Sequence, residues 1–496
     1  MSNIPGIVLN EDDSHYFSTR AGQILDKEKV ASFVDQYADT QVDRLVFNPN
    51  CMRTSYGSQV WDPIWLNYDP DGPDNQSFFD GSPVTAEWAR KWVHTAWKLD
   101  HDSIDPYAVW IDRAREHGIS PWISMRMNDV HCVDDEKSFI HSEFWRNNPQ
   151  FRRVTYDFME WTDKAFDYGH QEVREYHLAL VREYAQKWDM DGLELDWMRF
   201  GFHFKPGHEQ NGCELLTEFT RTVRSILNEA EKRVGHSIKL SARVPSRPQT
   251  AIGLGMDAIR WAKEGLIDSL VITPFWATAE TDMPIELWKM LLGGTGVELA
   301  AGFEILLRPY PAYSVNHSNS LETARGMAAS FIGRGCDKIY LFNYMDSETT
   351  LDAPEFYKAL LKEIGSQETI ENKPRRHVIT YSDTWAVGQP RAYALPIQVP
   401  TGARQAFRIH IGPKPNNMGV EIVIGLLEGS DDLEVRCNGE LCQALGETQL
   451  PMPAPDCTTY VYVAKKCSVN NGYNAIEVQT KNDISIVWVE IRIKQE

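Results

Sequence analysis

Up to Gly365, short apolar runs alternate with longer amphipathic stretches. The runs are 6–10, 44–48, 122–128, 192–196, 239–244, 270–275, 298–306 and 338–344. Their length and bounding polar residues suit buried strands. Between them, apolar residues recur at helical spacing over 27–37, 86–97 with 107–116, 171–188, 214–233, 256–264, 284–292, 321–332 and 355–364. Eight strand-then-helix units predict an α/β chain with a (β/α)8 TIM barrel. A doubly wound sheet would want a glycine-rich phosphate turn after its first strand. Here Asn10-Glu11-Asp12-Asp13 follows, and its charges repel phosphate.

A polar break at 365–376 changes the pattern. Beyond it, 378–381, 392–399, 406–411, 420–427, 433–437, 460–463, 475–480 and 484–493 read as strands separated by Gly, Pro and Asn turns. Strands at such short spacing predict a C-terminal β-sandwich. The expected division is a catalytic barrel over 1–368 and a sandwich over 369–496.

Composition narrows the function classes. Aromatic residues make up 11% of the chain, which excludes a disordered protein. The longest apolar runs, 299–303 and 422–427, fall far short of the ~18 residues of a membrane helix. Fifty lysines and arginines against 70 acidic residues leave a net charge of −20. That charge argues against nucleic acid and anionic membranes as partners. The eight cysteines include no C-x-x-C pair, so neither a zinc site nor another metal or cofactor is expected. The last four, Cys437, Cys442, Cys457 and Cys467, suit either disulfides or reduced core thiols. The first residues show no signal peptide, which implies a cytoplasmic protein or one whose signal has been removed.

In a TIM barrel the chemistry sits at the C-terminal strand ends. Those ends carry Asn10 to Asp13, Asn48, Arg53, Arg126, Asn128, Asp129, His131, Glu194, Asp196, Arg199, Arg243, Glu304, Arg308, Asn343 and Asp346. Strand alternation directs Asn10, Asp12, Ser124, Arg126, Asn128, Glu194 and Asp196 toward the axis and Glu11 away from it. The carboxylates, with Trp61, Trp65, Phe275 and Trp276 on nearby loops, suit a sugar. Five arginines in so acidic a chain suit an anionic one, because guanidinium forks match carboxylates. Structural roles stand beside these. Glu194 and Asp196 can pair with arginines in an ion network, Trp61 and Trp65 can pack loops, and Asp12 and Asp13 can cap a turn.

The barrel-then-sandwich order, the Asn-Glu-Asp-Asp of 10–13, the Arg-Met-Asn-Asp-Val-His of 126–131, the Asp-Gly-Leu-Glu-Leu-Asp-Trp-Met-Arg of 191–199 and the Phe-Asn-Tyr of 342–344 resemble glycoside hydrolase family 156, the inverting exo-α-sialidases. The resemblance implies a histidine Brønsted acid at His131 and an aspartate base within Asp12-Asp13, with alternation favouring Asp12. It also implies substrate binding by Arg126, Arg199 and Asn343, to which strand-end position adds Asn48, Arg53 and Asp196. The implied substrate is a sialylated glycan or glycoconjugate. A homodimer is a further expectation, and the sandwich suits a carbohydrate-binding module, a packing unit or the dimer contact.

The chemistry is coherent. Sialic acid carries a carboxylate on its anomeric carbon, which repels a carboxylate nucleophile. Single displacement by an activated water avoids that attack, and an imidazole can protonate the leaving oxygen near neutral pH. Two other readings remain open here. One is a two-carboxylate glycosidase of uronic or neutral sugars using Glu194 or Asp196 with Glu304. The other is a non-catalytic sialic-acid-binding lectin.

Overall fold

Eight parallel strands close into a barrel, as the alternating pattern predicts. They are β1 (Ile7–Glu11), β2 (Val42–Phe47), β3 (Ser120–Arg126), β4 (Gly192–Asp196), β5 (Lys239–Pro245), β6 (Ser269–Thr273), β7 (Glu298–Phe303) and β8 (Lys338–Leu341). The computed structural model describes residues 6–82, 84–154, 161–315, 317–346, 354–429, 432–448 and 457–495. Ile7, Leu9, Ile123, Met125, Leu193 and Leu195 face outward into the helix layer. Val8, Val46, Trp122, Val271, Ala300, Tyr340 and Phe342 fill the barrel interior. Trp122 needs the room that Gly192 leaves, since a Cβ there would lie 2.4 Å from its ring.

Register then stacks the polar residues in layers. Ser124, Glu194 and Ser241 are neighbours on β3, β4 and β5, and one layer higher stand Arg126, Asp196 and Arg243. Charges of alternating sign thus occupy adjacent strands at the C-terminal end of the barrel strands.

Beyond the barrel run β9 (Arg375–Val378), β10 (Ile397–Val399), β11 (Arg404–His410), β12 (Met418–Leu426), β13 (Leu433–Cys437), β14 (Glu440–Leu441), β15 (Gln443–Thr448), β16 (Thr458–Val463), β17 (Tyr473–Thr480) and β18 (Ile484–Gln495). A six-stranded sheet has the order β9-β18-β12-β16-β15, with β10 also pairing β18. A four-stranded sheet has the order β11-β17-β13-β14. The two share a core that includes Ile409, Ile422, Ile424, Val435, Ile476, Val478 and Ile491.

Four expectations needed revision. The strand expected over 378–381 runs instead over Arg375–Val378. Of the strand expected over 392–399, only Ile397–Val399 pairs. The chain before it spends its hydrogen bonds on barrel loops instead, through Thr380, Asp383 and Gln389. Strand β15 was not expected, because residues 443–447 are all exposed and carry no apolar alternation. The helix expected over 27–37 splits into Lys27–Ala31 and the 3-10 turn Val34–Tyr37.

The two parts meet where the helix Leu321–Gly333 lies on β9. A Cβ at Gly326 would sit 1.9 Å from the Arg376 carbonyl oxygen. That strand is held from behind, since the Arg376 guanidinium pairs with the buried Glu490 at 2.5 and 2.8 Å. Gly326→Ala adds helix propensity, worth up to about 1 kcal/mol. Overpacking at this contact costs about 1–3 kcal/mol. The expected net effect is a lower urea midpoint, and an unchanged or raised midpoint would refute so close an approach.

Candidate active site

The site begins at Arg126, the last residue of β3. Its guanidinium is 4% exposed and reaches three carboxylates. One nitrogen pairs with Asp12; the other lies 3.1 Å from Asp13 and 3.3 Å from Asp129. Asp12 and Asp13 follow β1 in a turn closed by Ser14, whose amide and hydroxyl donate to Asp12 Oδ1 at 2.9 and 2.6 Å. Asp129 turns its other oxygen to His131, accepting from Nδ1 at 2.6 Å and from the backbone amide at 3.0 Å. This Asp-x-His turn fixes the ring. The opposite ring nitrogen, Nε2, lies 3.0 Å from an Arg199 nitrogen. Guanidinium nitrogens only donate. In this arrangement Nε2 is therefore the acceptor, and Nδ1 carries the ring proton.

Arg199 differs from Arg126 and Arg243. Among the described residues it forms no ion pair, and its Nε has no hydrogen-bond partner. It is half-buried, with Phe342 and Phe200 on its flanks at 5.4 and 5.3 Å. Arg243, by contrast, is fully buried. It bonds Asp196 at 3.1 and 3.2 Å and Glu304 at 3.4 Å, and lies 3.7 Å over the Phe342 ring. Asn343 donates to Glu304 at 3.3 Å. Beneath them, Glu194 accepts from Ser124 at 2.9 Å and from Tyr340 at 2.7 Å.

These surroundings separate the carboxyls by proton affinity. Burial would raise Asp12, but Arg126, Ser14 and Arg199 outweigh it and hold the group well below the ordinary range. Asp129 is lowered likewise, as its burial is overcome by His131, Arg126 and Arg199. Asp13 goes the other way. Burial, with Asp12 and Asp129 adding to it, exceeds the help from Arg126 and raises it well above the ordinary range. Burial pushes Glu304 up to about 8 despite Arg243 and Arg199. Burial and then Asp196 push Glu194 up to about 7.

The structure thus gathers Asp12, Asp13, Arg126, His131 and Arg199 into one cluster, with Asp196 and Asn343 in the adjoining layer. Arg53 does not join it. Its guanidinium is 1% exposed and spent on the carbonyls of His141 and Leu66. It acts at one remove, because His141 in turn bonds the His131 carbonyl at 2.9 Å. Asn48 donates to the Ser124 carbonyl and ties β2 to β3. Asn128 was expected at the axis, yet it bridges the loops through the Phe166 and Phe202 carbonyls. It lies past the end of β3, where alternation no longer applies. Trp61 stacks on Tyr176 at 4.4 Å, which is loop packing. The orienting role of Asp129 escapes strand-end reasoning, although the Asp-x-His spacing itself is a turn signal. Among the described residues no group of three or more His, Cys, Asp or Glu is arranged to hold a metal ion.

No protein-family model and no curated protein matches the chain. Solved structures do. An α-L-fucosidase (isoenzyme 2) from Paenibacillus thiaminolyticus matches at 13% identity with a TM-score of 0.43, covering 72% of this chain and 48% of that one. A putative α-L-fucosidase from Bacteroides thetaiotaomicron matches at 10% identity and 0.37, covering 100% and 95%. A GH36 α-galactosidase from Geobacillus stearothermophilus, solved with raffinose, matches at 12% identity and 0.37, covering 93% and 55%. This chain spans about half the length of the first of these. Likeness at this level carries no argument about activity, which has to rest on the site itself.

The raised Glu304 gives a test. Its ordinary value is 4.5, and its folded value is about 8. The unfolded chain releases this proton as pH rises above 4.5 while the folded chain keeps it, so this contribution to stability is lost between those values. Glu304→Gln cannot ionise. Its stability relative to the parent is expected to rise between about pH 5 and about pH 8.5, read as urea midpoints. A constant difference across that range would contradict a protonated Glu304.

Proposed function

We propose that the chain is a glycoside hydrolase, and more narrowly an inverting exo-α-sialidase that releases terminal sialic acid from glycoconjugates. The observation that carries this reading is the half-buried Arg199, without a carboxylate partner among the described residues, against an imidazole fixed by Asp129. A cation left unpaired beside a proton-transfer group suits a sugar acid better than a neutral sugar. Arg126 has given its charge to three aspartates, so the first grip on the substrate carboxylate falls to Arg199.

That grip has a consequence for the acid. At rest the Arg199 N–H groups occupy His131 Nε2, and a proton there would face a donor. A substrate carboxylate that takes those N–H groups releases Nε2 to carry the proton for the leaving oxygen. The Asp129 carboxylate, through Nδ1, stabilises the imidazolium. On the other side Asp12 is held low by Arg126 and is 14% exposed, whereas Asp13 is 1% exposed and raised by burial. Asp12 is therefore the base. An incoming anion shares the field of Arg126 and Arg199, which lifts the proton affinity of Asp12 toward what a base needs. Asp12 and His131 are joined by no hydrogen bond or ion pair; Arg126 and Asp129 stand between them. Inverting pairs keep roughly 6.5–9.5 Å between them for a water.

The two-carboxylate reading finds one point of support, since Glu304 near 8 is a proton donor at neutral pH. Yet Glu304, Glu194 and Asp196 are at most 1% exposed and bonded within the barrel. Proton NMR of the first-formed anomer decides. An α-sialoside is expected to give β-sialic acid first, and α-sialic acid first would end the inverting reading. His131→Ala is expected to cut turnover of sialyl-glycans by about 10²–10⁴-fold, and of activated aryl sialosides much less. Equal losses would remove His131 from the acid role, and binding without turnover by the parent would select the lectin.

A further inference from the structure

Beyond the grip on the sugar acid, an inverting hydrolase must hold the group that leaves. The leaving oxygen departs on the side of His131, so the surface reached from that ring is where the leaving sugar lies. The His131 ring packs edge-on against Phe200, with centroids 4.9 Å apart. Phe200 in turn meets Phe275 at 5.4 Å. The next residue, Trp276, is 47% exposed, the one tryptophan among the exposed large hydrophobic side chains of the described residues.

This exposed tryptophan is not on a slack loop. The carboxylate of Asp383 accepts from three consecutive amides, those of Phe275 at 2.8 Å, Trp276 at 2.8 Å and Ala277 at 2.7 Å. The Thr384 hydroxyl adds a fourth bond at 2.9 Å. Thr281, further along the same loop, bonds the Val378 carbonyl at 2.7 Å and meets Thr380. The anchor therefore comes from outside the barrel, from the segment that follows β9. Three amides converging on one carboxylate form a rigid turn, and the rigidity is applied where an aromatic face meets solvent. Sugars present apolar C–H faces that such a ring can cover, and a ring carried on a fixed backbone has less freedom to lose on doing so.

We propose that the Phe275–Ala277 turn is the recognition platform for the leaving sugar, with Trp276 as its stacking surface and Asp383 as the positioning residue that holds it beside His131. The proposal rests on the hydrolase reading above for the direction of departure, but its ligand is the neutral sugar rather than the sugar acid. The charge of Asp383 also raises Glu304, which agrees with the anchor lying close to the catalytic layer.

The test compares α-sialyl-lactose with methyl α-sialoside, whose leaving group has no ring to stack. In Trp276→Ala the ratio of kcat/KM for the lactoside over the methyl sialoside is expected to fall about ten-fold, with Trp276→Phe recovering part of it. Asp383→Asn is expected to shift the same ratio through KM with kcat less affected. A ratio unchanged in Trp276→Ala overturns the proposal. Saturation-transfer NMR of lactose alone separates this inference from the hydrolase reading. A lactose signal lost in Trp276→Ala supports the platform even if the parent cleaves neither sialoside, an outcome that sinks the activity only. No lactose signal with the parent, or one that Trp276→Ala leaves intact, overturns the platform.

Discussion

The guanidinium of Arg126 is 4% exposed and meets its buried charge with carboxylates, and the C-terminal end of this barrel is organised around that pairing. Asp12, Asp13 and Asp129 all turn to the guanidinium. Three carboxylates are more than one guanidinium can neutralise, and the excess is resolved by proton affinity. Asp12 and Asp129 are held low, while burial beside those two charges raises Asp13. Each of the two ionised groups then has an oxygen left for other work. Asp129 spends its own on His131 and so sets which ring nitrogen faces the mouth. Asp12 accepts from Ser14 and remains the more accessible of the neighbouring pair.

The same logic runs sideways around the barrel. Arg126, Asp196 and Arg243 are register neighbours on β3, β4 and β5, and Glu304 with Asn343 continues the layer. Each buried charge there has an opposite neighbour, so none of them needs a ligand. Asp196 also accepts from the Met198 and Arg199 amides, which shapes the turn carrying Arg199. Arg199 is thereby delivered to the mouth by a network whose own charges are already matched. A surplus cation at the edge of a satisfied network is a different object from an arginine inside it.

Much of this was legible in the sequence because parallel strands alternate strictly. The sharing of one layer by Arg126, Asp196 and Arg243 follows from apolar partners such as Met125 and Leu195 facing the helices. Legibility ended where strands ended. Arg53 and Asn128 lie in loops, and nothing in their spacing says that both would be consumed by backbone carbonyls. Strand β15 was invisible because both its faces meet solvent, so selection of apolar residues at every second position has no physical basis there. The segment ahead of β10 misled for the opposite reason. Its apolar residues suggested a strand, but the chain just before it is tied to the barrel loops through Thr380, Asp383 and Gln389. Contacts between residues so far apart in the chain leave no local signature.

Backbone conformation also bears on how the site is aimed. Cys132, Phe200 and Asn343 adopt positive φ values of 60, 71 and 62°. Asparagine tolerates that region, but for a bulky residue such as Phe200 it costs on the order of 1–2 kcal/mol. Two of the three directly follow the groups that meet at 3.0 Å, His131 and Arg199, and the third is the donor to Glu304. The cost at Phe200 is offset locally, because the turn delivers its ring to both His131 and Phe275 and its flank to the Arg199 guanidinium. A glycine at this position would relieve the backbone and at the same time remove the ring that joins the imidazole to Phe275, the neighbour of Trp276. The strained residue is thus retained where a relaxed one would uncouple the two halves of the mouth, which is the pattern expected when geometry at a site outweighs local stability.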